Sequence, residues 1–213
     1  MDTERQIRRL VEYFRAGERQ VEDCAIGMEF EHLILQDDTL RAVTYFGDRG
    51  IQALLERLTG IGWQPSYEND YILGLHKQEA SISVEPGGQL EFNVAPKKNL
   101  RDSEKVYQGV LSEIIPILDE WGLTMVTVGY QPVTPIEDIP LLPKQRYQWM
   151  YSYFAAKGKY AHNMMKGTAS TQVCIDYSDE HDYVRKSRVV SFLSPFVYAV
   201  FDNAPFFIEG AGV

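Results

Sequence analysis

Ser81-Ile-Ser-Val-Glu-Pro-Gly-Gly-Gln-Leu-Glu-Phe-Asn93 forms two short strands joined at Pro86-Gly87-Gly88. Side chains alternate between faces along a strand. With Glu85 opposite Gln89, Ser83 falls opposite Glu91. Ser81, Ser83, Glu85, Gln89, Glu91 and Asn93 then share one face, and Ile82, Val84, Leu90 and Phe92 share the other. The apolar face asks for a core. The polar face gathers two carboxylates, which repel each other unless a cation or a proton relieves them. Hard oxygen donors on a rigid sheet suit Mg2+. On its own, the same hairpin is equally a solvated face on a half-buried sheet.

The pattern recurs on other strands. In Gly27-Met-Glu-Phe-Glu-His-Leu33, Glu29 and Glu31 point one way, and Met28, Phe30 and His32 the other. In Thr168-Ala-Ser-Thr-Gln-Val-Cys-Ile-Asp176, Thr168, Ser170, Gln172, Cys174 and Asp176 share a face, and Ala169, Thr171, Val173 and Ile175 form the packing face. A merely solvated face would include lysine and arginine freely. These three carry neither, and such an excess of one sign suits a cation-binding cleft.

The rest of the chain places these strands. Apolar spacing predicts helices over 4–16, over 50–59 ending at Gly60, and over 102–121 with Asp102 or Ser103 as cap. Further helices are expected from near Pro143 to Phe154 and over 179–201. Pro116 and Pro195 should bend or break the two long ones. Strands are expected at 26–35, 71–76, 80–85, 89–94, 124–130 and 168–176, with Leu40 to Phe46 returning beside the first. Residues 131–143, with four prolines, read as an ordered loop. Hairpins outnumber βαβ units. The expected class is α+β, a curved and mainly antiparallel sheet with helices on one face. The final Glu209-Gly-Ala-Gly-Val213 ends no element and reads as a cut loop.

The chain's 213 residues can bury a substantial core as one domain, 1–213. A formal charge of -9 and a pI near 5.0 argue against nucleic-acid binding. No apolar run is long enough for a bilayer, and Met1-Asp-Thr-Glu-Arg has no apolar signal core, so the expectation is a cytoplasmic chain. Cys24 and Cys174 have no metal or redox spacing and read as small buried residues. The four histidines form no ligand pair.

Basic and methionine-rich motifs sit on the connections. Lys144-Gln-Arg-Tyr147 opens a helix, where an arginine serves either a surface ion pair or a bidentate oxyanion contact. Met164-Met165 reads as core packing, where methionine fills irregular gaps. Gly87-Gly88 lacks phosphate-loop spacing and is a hairpin turn.

In this order the motifs resemble the glutamate–cysteine ligase family of the plant and proteobacterial type. The matching residues are Gly27-Met-Glu-Phe-Glu31, Ser83-Val-Glu-Pro-Gly-Gly-Gln-Leu-Glu91, Gly129-Tyr-Gln-Pro132, Asp138-Ile-Pro140 and Pro143-Lys-Gln-Arg-Tyr147. They continue through Met164-Met165, Thr168-Ala-Ser-Thr-Gln-Val173, Asp176-Tyr-Ser178 and Asp202-Asn-Ala-Pro205. The match departs at Cys174, where many members carry asparagine. The redox cysteine pairs of plant members have no counterpart here.

The resemblance implies a fold similar to the catalytic domain of glutamine synthetase, with ATP and metal on the concave face of the sheet. It implies ATP-dependent joining of the γ-carboxyl of L-glutamate to the amine of L-cysteine through an acyl phosphate, the first step of glutathione biosynthesis. Glu29, Glu31, Glu85 and Glu91 are then the Mg2+ carboxylates, with Glu31 and Glu85 also serving ATP. Glu85 and Arg146 are the catalytic pair. Arg146 would meet a substrate carboxylate and Tyr147 the cysteine. Met164, Met165, Thr168, Gln172 and Gln89 would line the substrate pocket. Arg185 and Arg188 read as structural.

Family members are considerably longer, so the resemblance covers an N-terminal portion of a catalytic domain. The expected partners are L-glutamate, L-cysteine and ATP, together with a second copy or a missing C-terminal half that covers an unfinished sheet edge. The competing readings are a ligase with another amine acceptor, and a non-catalytic assembly module that keeps the sheet.

Overall fold

A computed structural model describes residues 2–204 and, beyond them, the backbone of 207–208 and 211–212. In chain order the elements are α1 (Thr3–Ala16), β1 (Ile26–Gln36), α2 (Ile51–Thr59), β2 (Gln64–Glu68), β3 (Tyr71–Lys77), β4 (Ala80–Val84), β5 (Leu90–Lys97) and α3 (Leu100–Trp121). There follow β6 (Leu123–Val126), α4 (Gln145–Phe154), α5 (Ala161–Gly167), β7 (Thr171–Ile175), α6 (Glu180–Phe201) and the two-residue pair β8 (Phe207–Ile208) and β9 (Ala211–Gly212). Pro205 of the Asp202-Asn-Ala-Pro205 motif, and Glu209, Gly210 and Val213 of the expected terminal loop, lie outside the described residues.

The class is α+β: six helices among the described residues and an unclosed sheet whose pairs are all antiparallel. The sheet runs β2-β3-β4-β5-β1, after which β1 divides its far edge. Its first half pairs with β7 and its second half with β6. β1 is therefore an interior strand, next to the edge that β6 and β7 share, and it carries Glu29 and Glu31 between β5 and that edge.

The hairpin forms as its alternation predicts. Ser83 faces Glu91, Ser81 faces Asn93, and the Glu85 amide donates to the Gln89 carbonyl at 2.9 Å. Gly88 takes φ 92, a conformation that favours glycine. The apolar face packs under α2 and α3, where Leu54, Leu55, Leu58, Ile82, Val84, Leu90, Phe92, Ile114 and Leu118 are buried together. His32 joins this layer as a buried ring, stacked on Phe92 and within 2.8 Å of the Tyr107 hydroxyl. Burial lowers its pKa and keeps the ring neutral.

Several boundaries differ from expectation, each for a local reason. Helix α3 is capped by Asn99, whose side-chain oxygen accepts from the Asp102 amide at 3.0 Å, so Asp102 and Ser103 lie inside the first turn. Pro116 does not end α3, because Ile114, Ile117 and Leu118 bury the helix on both sides of it. Helix α6 likewise continues through Pro195, since a proline removes one donor and bends an axis without having to stop it. Strand β2 was hidden by Pro65 in a polar stretch, a residue that an edge strand tolerates. The seven-residue α5 is too short to show a period. Leu40 to Phe46 returns only as far as a bridge at Ala42, and β6 stops at Val126.

The expected packing face of β7 is overturned. All five of its residues are exposed, including Val173 and Ile175, because β7 pairs with β1 alone and no helix of the core covers it. Cys174 is exposed rather than buried, and Cys24 is half-buried. Helix α1 is also unburied, with Ile7, Leu10, Val11 and Phe14 exposed along its apolar stripe. Among the described residues no helix is long and apolar enough to cross a membrane.

Candidate active site on the polar face of the sheet

Pairing register carries polar residues across the sheet in two rows. One runs Ser66, Gly74, Ser83, Glu91, Glu31 across β2, β3, β4, β5 and β1. The other runs Gln64, His76, Ser81, Asn93, Glu29, Gln172 and ends on β7. Residues directly opposite one another share a face. The strands whose polar faces were matched in the sequence thus converge on one surface, with Glu29, Glu31, Glu85 and Glu91 all half-buried on it.

Each carboxylate is held. Glu91 accepts from the Ser83 hydroxyl at 2.6 Å and the Asn93 amide at 2.9 Å. Glu31 accepts from the Ser170 backbone N–H at 2.8 Å and the Gln172 amide at 3.2 Å. Glu85 accepts from the Tyr147 hydroxyl at 3.0 Å. The Cys174 thiol lies 3.9 Å from Glu29, and burial followed by the Glu29 charge raises its pKa, so it stays a thiol. Ser83, Asn93 and Ser170 were visible only as members of the alternating face. Their roles as carboxylate donors emerge from the register.

The charges interact. Burial raises the pKa of Glu31, and the nearby Glu85 and Glu91 push it further against the Ser170 hydrogen bond. Burial also raises Glu85, with Glu91 adding to it, while the Tyr147 bond, Lys144 and Arg146 oppose. Three like charges this close favour a shared cation or proton. Among the described residues no three His, Cys, Asp or Glu side chains converge as a ready-made metal cage. Mg2+ is commonly held by one or two carboxylates, with phosphate oxygens and waters completing its shell. The donor set fits that arrangement and not an all-protein cage.

The Lys144–Tyr147 stretch stands beside Glu85. The Tyr147 ring is fully buried, and its hydroxyl donates to Glu85 and accepts from the Arg146 guanidinium at 3.0 Å. Burial, then the Glu85 charge, pushes the phenol well above its ordinary pKa. Tyr147 therefore positions Glu85 through its hydroxyl while its ring is enclosed in the core. Arg146 is exposed, stacks on that ring at 4.9 Å, and has no carboxylate within ion-pair distance among the described residues.

Gln89 is buried at the base of the hairpin turn. Its side-chain oxygen accepts from the Gly87 amide at 2.8 Å, and its nitrogen donates to the carbonyls of Thr168 at 2.8 Å and Met165 at 3.4 Å. Its polar atoms are committed to tying the turn to the segment after α5. Met165 is buried in the core, Met164 is exposed, and the Thr168 hydroxyl caps the Met164 carbonyl at 2.6 Å. Lys166, which no sequence pattern singled out, is buried, and its ammonium donates to the carbonyls of Ile136 at 2.5 Å and Ile139 at 2.8 Å. It staples the proline-rich loop to α5. Arg185 pairs with Asp182 at 3.0 Å, in keeping with a structural role.

Three relatives show what this arrangement is similar to. Glutamate–cysteine ligase A, chloroplastic, of Oryza sativa subsp. japonica is 35% identical over 198 residues, covering 92% of this chain and 40% of the rice protein. The chloroplastic enzyme of Nicotiana tabacum is 35% identical over 201 residues, covering 92% of this chain and 37% of its own length. That of Arabidopsis thaliana is 34% identical over 201 residues with the same two shares, 92% and 37%. The chain thus spans about two fifths of the length of these relatives. All three are named chloroplastic, which overturns the cytoplasmic expectation. That expectation rested on a missing apolar signal core, and an organelle address needs none. The register that unites Glu29, Glu31, Glu85 and Glu91 belongs to a segment, residues 25–211, that matches the glutamate-cysteine ligase family 2 (GCS2) throughout, and the chain belongs to that family.

Proposed function

We propose that this chain supplies the N-terminal part of one catalytic domain, similar in fold to glutamine synthetase, that joins L-glutamate to L-cysteine at the expense of ATP. The carboxylate row on β1 and β5, with Glu85 beside Arg146, is the observation that carries the reading. The γ-carboxylate of glutamate attacks the γ-phosphorus of ATP, giving an acyl phosphate and ADP. The amine of cysteine then attacks the acyl carbon, expels phosphate and loses a proton, and the γ-glutamyl amide results. This would be the first step of glutathione synthesis.

Mg2+, when bound, neutralises phosphate charge and clamps the transferring group. One or two at a time of Glu29, Glu31, Glu85 and Glu91 would hold it, with phosphate oxygens and waters completing its shell. Glu31 and Glu85 would thereby also place the nucleotide. Tyr147 fixes the Glu85 carboxylate, and Arg146 presents its free guanidinium face to a substrate carboxylate. Met164, Thr168 and Gln172 border the same surface, with Met165 and Gln89 supporting them from beneath.

The test is ADP release from Mg-ATP and L-glutamate, with and without L-cysteine. It is run on the chain alone and on the chain mixed with the part of a relative that follows the matched segment. Cysteine-dependent release in either preparation is expected. No release in both would overturn the ligase reading and favour a module that only assembles. Release driven equally by another amine would leave a related carboxylate–amine ligase.

The expected partner surface supports assembly. From Val189 to Phe201 helix α6 carries no charge, and Phe192, Phe196, Tyr198 and Val200 are exposed around it. A helix that is apolar all round is ordinarily enclosed by protein. We expect concentration-dependent mass in light scattering from a second copy, or capture of the downstream part of a family-length chain. A monodisperse monomer at high concentration that ignores that downstream part would sink this expectation.

A further inference from the structure

A hollow of about 630 Å3 lies at the far end of β1, between the turn that follows the strand, the start of α2 and the end of α3. Gln36 at its rim follows Glu31 by five residues, about 17 Å of extended strand, and none of the carboxylates assigned to Mg2+ lines it. Gly50 closes the turn before α2, where a Cβ would lie 2.6 Å from the Phe46 carbonyl oxygen, and the tight turn brings Phe46 and Arg49 to the wall. The Arg49 guanidinium donates to the Trp121 carbonyl at the end of α3, at 3.0 Å. Asp37 is anchored to the same junction. Its backbone N–H donates to the Gly122 carbonyl at 3.1 Å, and the Thr124 hydroxyl donates to its carboxylate. Asp38 follows it on the rim. Both signs of charge therefore line one hollow, yet no ion pair joins them. Among the described residues no carboxylate stands within ion-pair distance of Arg49, and no lysine or arginine within that distance of Asp37 or Asp38. The remaining wall is largely apolar, from Ala42, Val43, Phe46, Trp121 and Leu123.

We propose that this hollow binds a zwitterionic α-amino acid with an apolar side chain. Its carboxylate meets Arg49, its ammonium meets Asp37 and Asp38, and its side chain packs against Phe46 and Trp121. The physical case is the separation of charge. Anchors at the α3–β6 junction hold Arg49 and Asp37 in place without letting them pair. A ligand that carries both charges satisfies both at once, through charge-assisted contacts to groups that are already oriented. An anion alone would face the two aspartates, and a cation alone would face Arg49. The volume suits one such molecule, and the apolar wall sets it apart from L-glutamate. The site stands apart from the carboxylate row and does not depend on the ligase reading.

L-Phenylalanine and L-leucine are titrated separately into the 15N-labelled chain, with phenethylamine and phenylacetate as analogues that each lack one charged group. Saturable amide shifts at Asp38, Arg49 and Gly122 are expected with at least one of the amino acids. Each analogue should bind at least about tenfold more weakly than L-phenylalanine. Arg49→Met should weaken L-phenylalanine about tenfold without weakening phenethylamine. The double variant Asp37→Asn, Asp38→Asn should weaken L-phenylalanine without weakening phenylacetate. The analogue series on the unaltered chain decides the matter even if a variant misfolds. No saturable shifts at the hollow with either amino acid, or an analogue that binds as tightly as L-phenylalanine, would overturn the site.

Discussion

Gly87→Ala is expected to lower the stability of the fold by about 3 kcal/mol or more, the range of buried overpacking with no room to relax. A Cβ at Gly87 would fall inside the carbonyl oxygen of Lys166 and 2.9 Å from its Cα, so it meets backbone rather than a movable side chain. The neighbourhood cannot yield cheaply. The Gly87 amide donates to Gln89, the Pro86 carbonyl accepts from Leu142, and Gln89 reaches Thr168. For a chain of this size each kcal/mol moves the thermal midpoint by roughly 2–4 °C, so a fall of about 10 °C by circular dichroism is expected. Gly88→Ala is the contrast. There the new Cβ has 3.5 Å of clearance, and only the strain of φ 92 remains, about 1 kcal/mol. A Gly87→Ala midpoint within the Gly88→Ala range would mean the turn and α5 are not locked together.

Glu85→Gln should cost about 100-fold or more in Mg-dependent nucleotide affinity, measured by calorimetry with Mg-ADP. The substitution is isosteric, and its amide oxygen can still accept from Tyr147, so the fold should survive with an unchanged thermal midpoint. What disappears is the negative charge that stands beside Glu31 and Glu91 and that burial already holds at a raised pKa. The partner of a cation loses affinity in proportion to the charge removed. A polar surface that merely faces water would not register the change. Nucleotide binding equal to wild type in Glu85→Gln would remove the metal role of the carboxylate row.

Much of this was legible in the chain itself, for identifiable reasons. The hairpin at 81–93 could be registered because a two-residue period leaves one pairing that buries Ile82, Val84, Leu90 and Phe92 together. Glu29 and Glu31 followed from the same period on β1. Helix α2 showed both its stripe and its terminating Gly60. The signals failed where a neighbour, and not a local pattern, decides. The cap of α3 was readable in the Asn99–Asp102 spacing, yet the stronger helix formers downstream masked it. The buried Tyr147, the committed Gln89 and the stapling Lys166 depend on contacts that span tens of residues, which no window reports. The packing face of β7 misled because alternation says which side is apolar, not whether anything covers it.

The distant pairings of β1 have a consequence for how the chain is made. This strand is made before all three of its strand partners, which begin only at residues 90, 123 and 171. At about 5–20 residues per second, a nascent β1 waits on the order of several seconds for β5 alone. Through that interval Met28-Glu-Phe-Glu-His32 has a strand partner on neither edge, and Leu33-Ile34-Leu35 has only the return at Ala42 and Val43 beside it. The same long-range pairings raise contact order and slow the closing of the sheet. The strand that carries Glu29 and Glu31 is thus the segment of the newborn chain most in need of a chaperone.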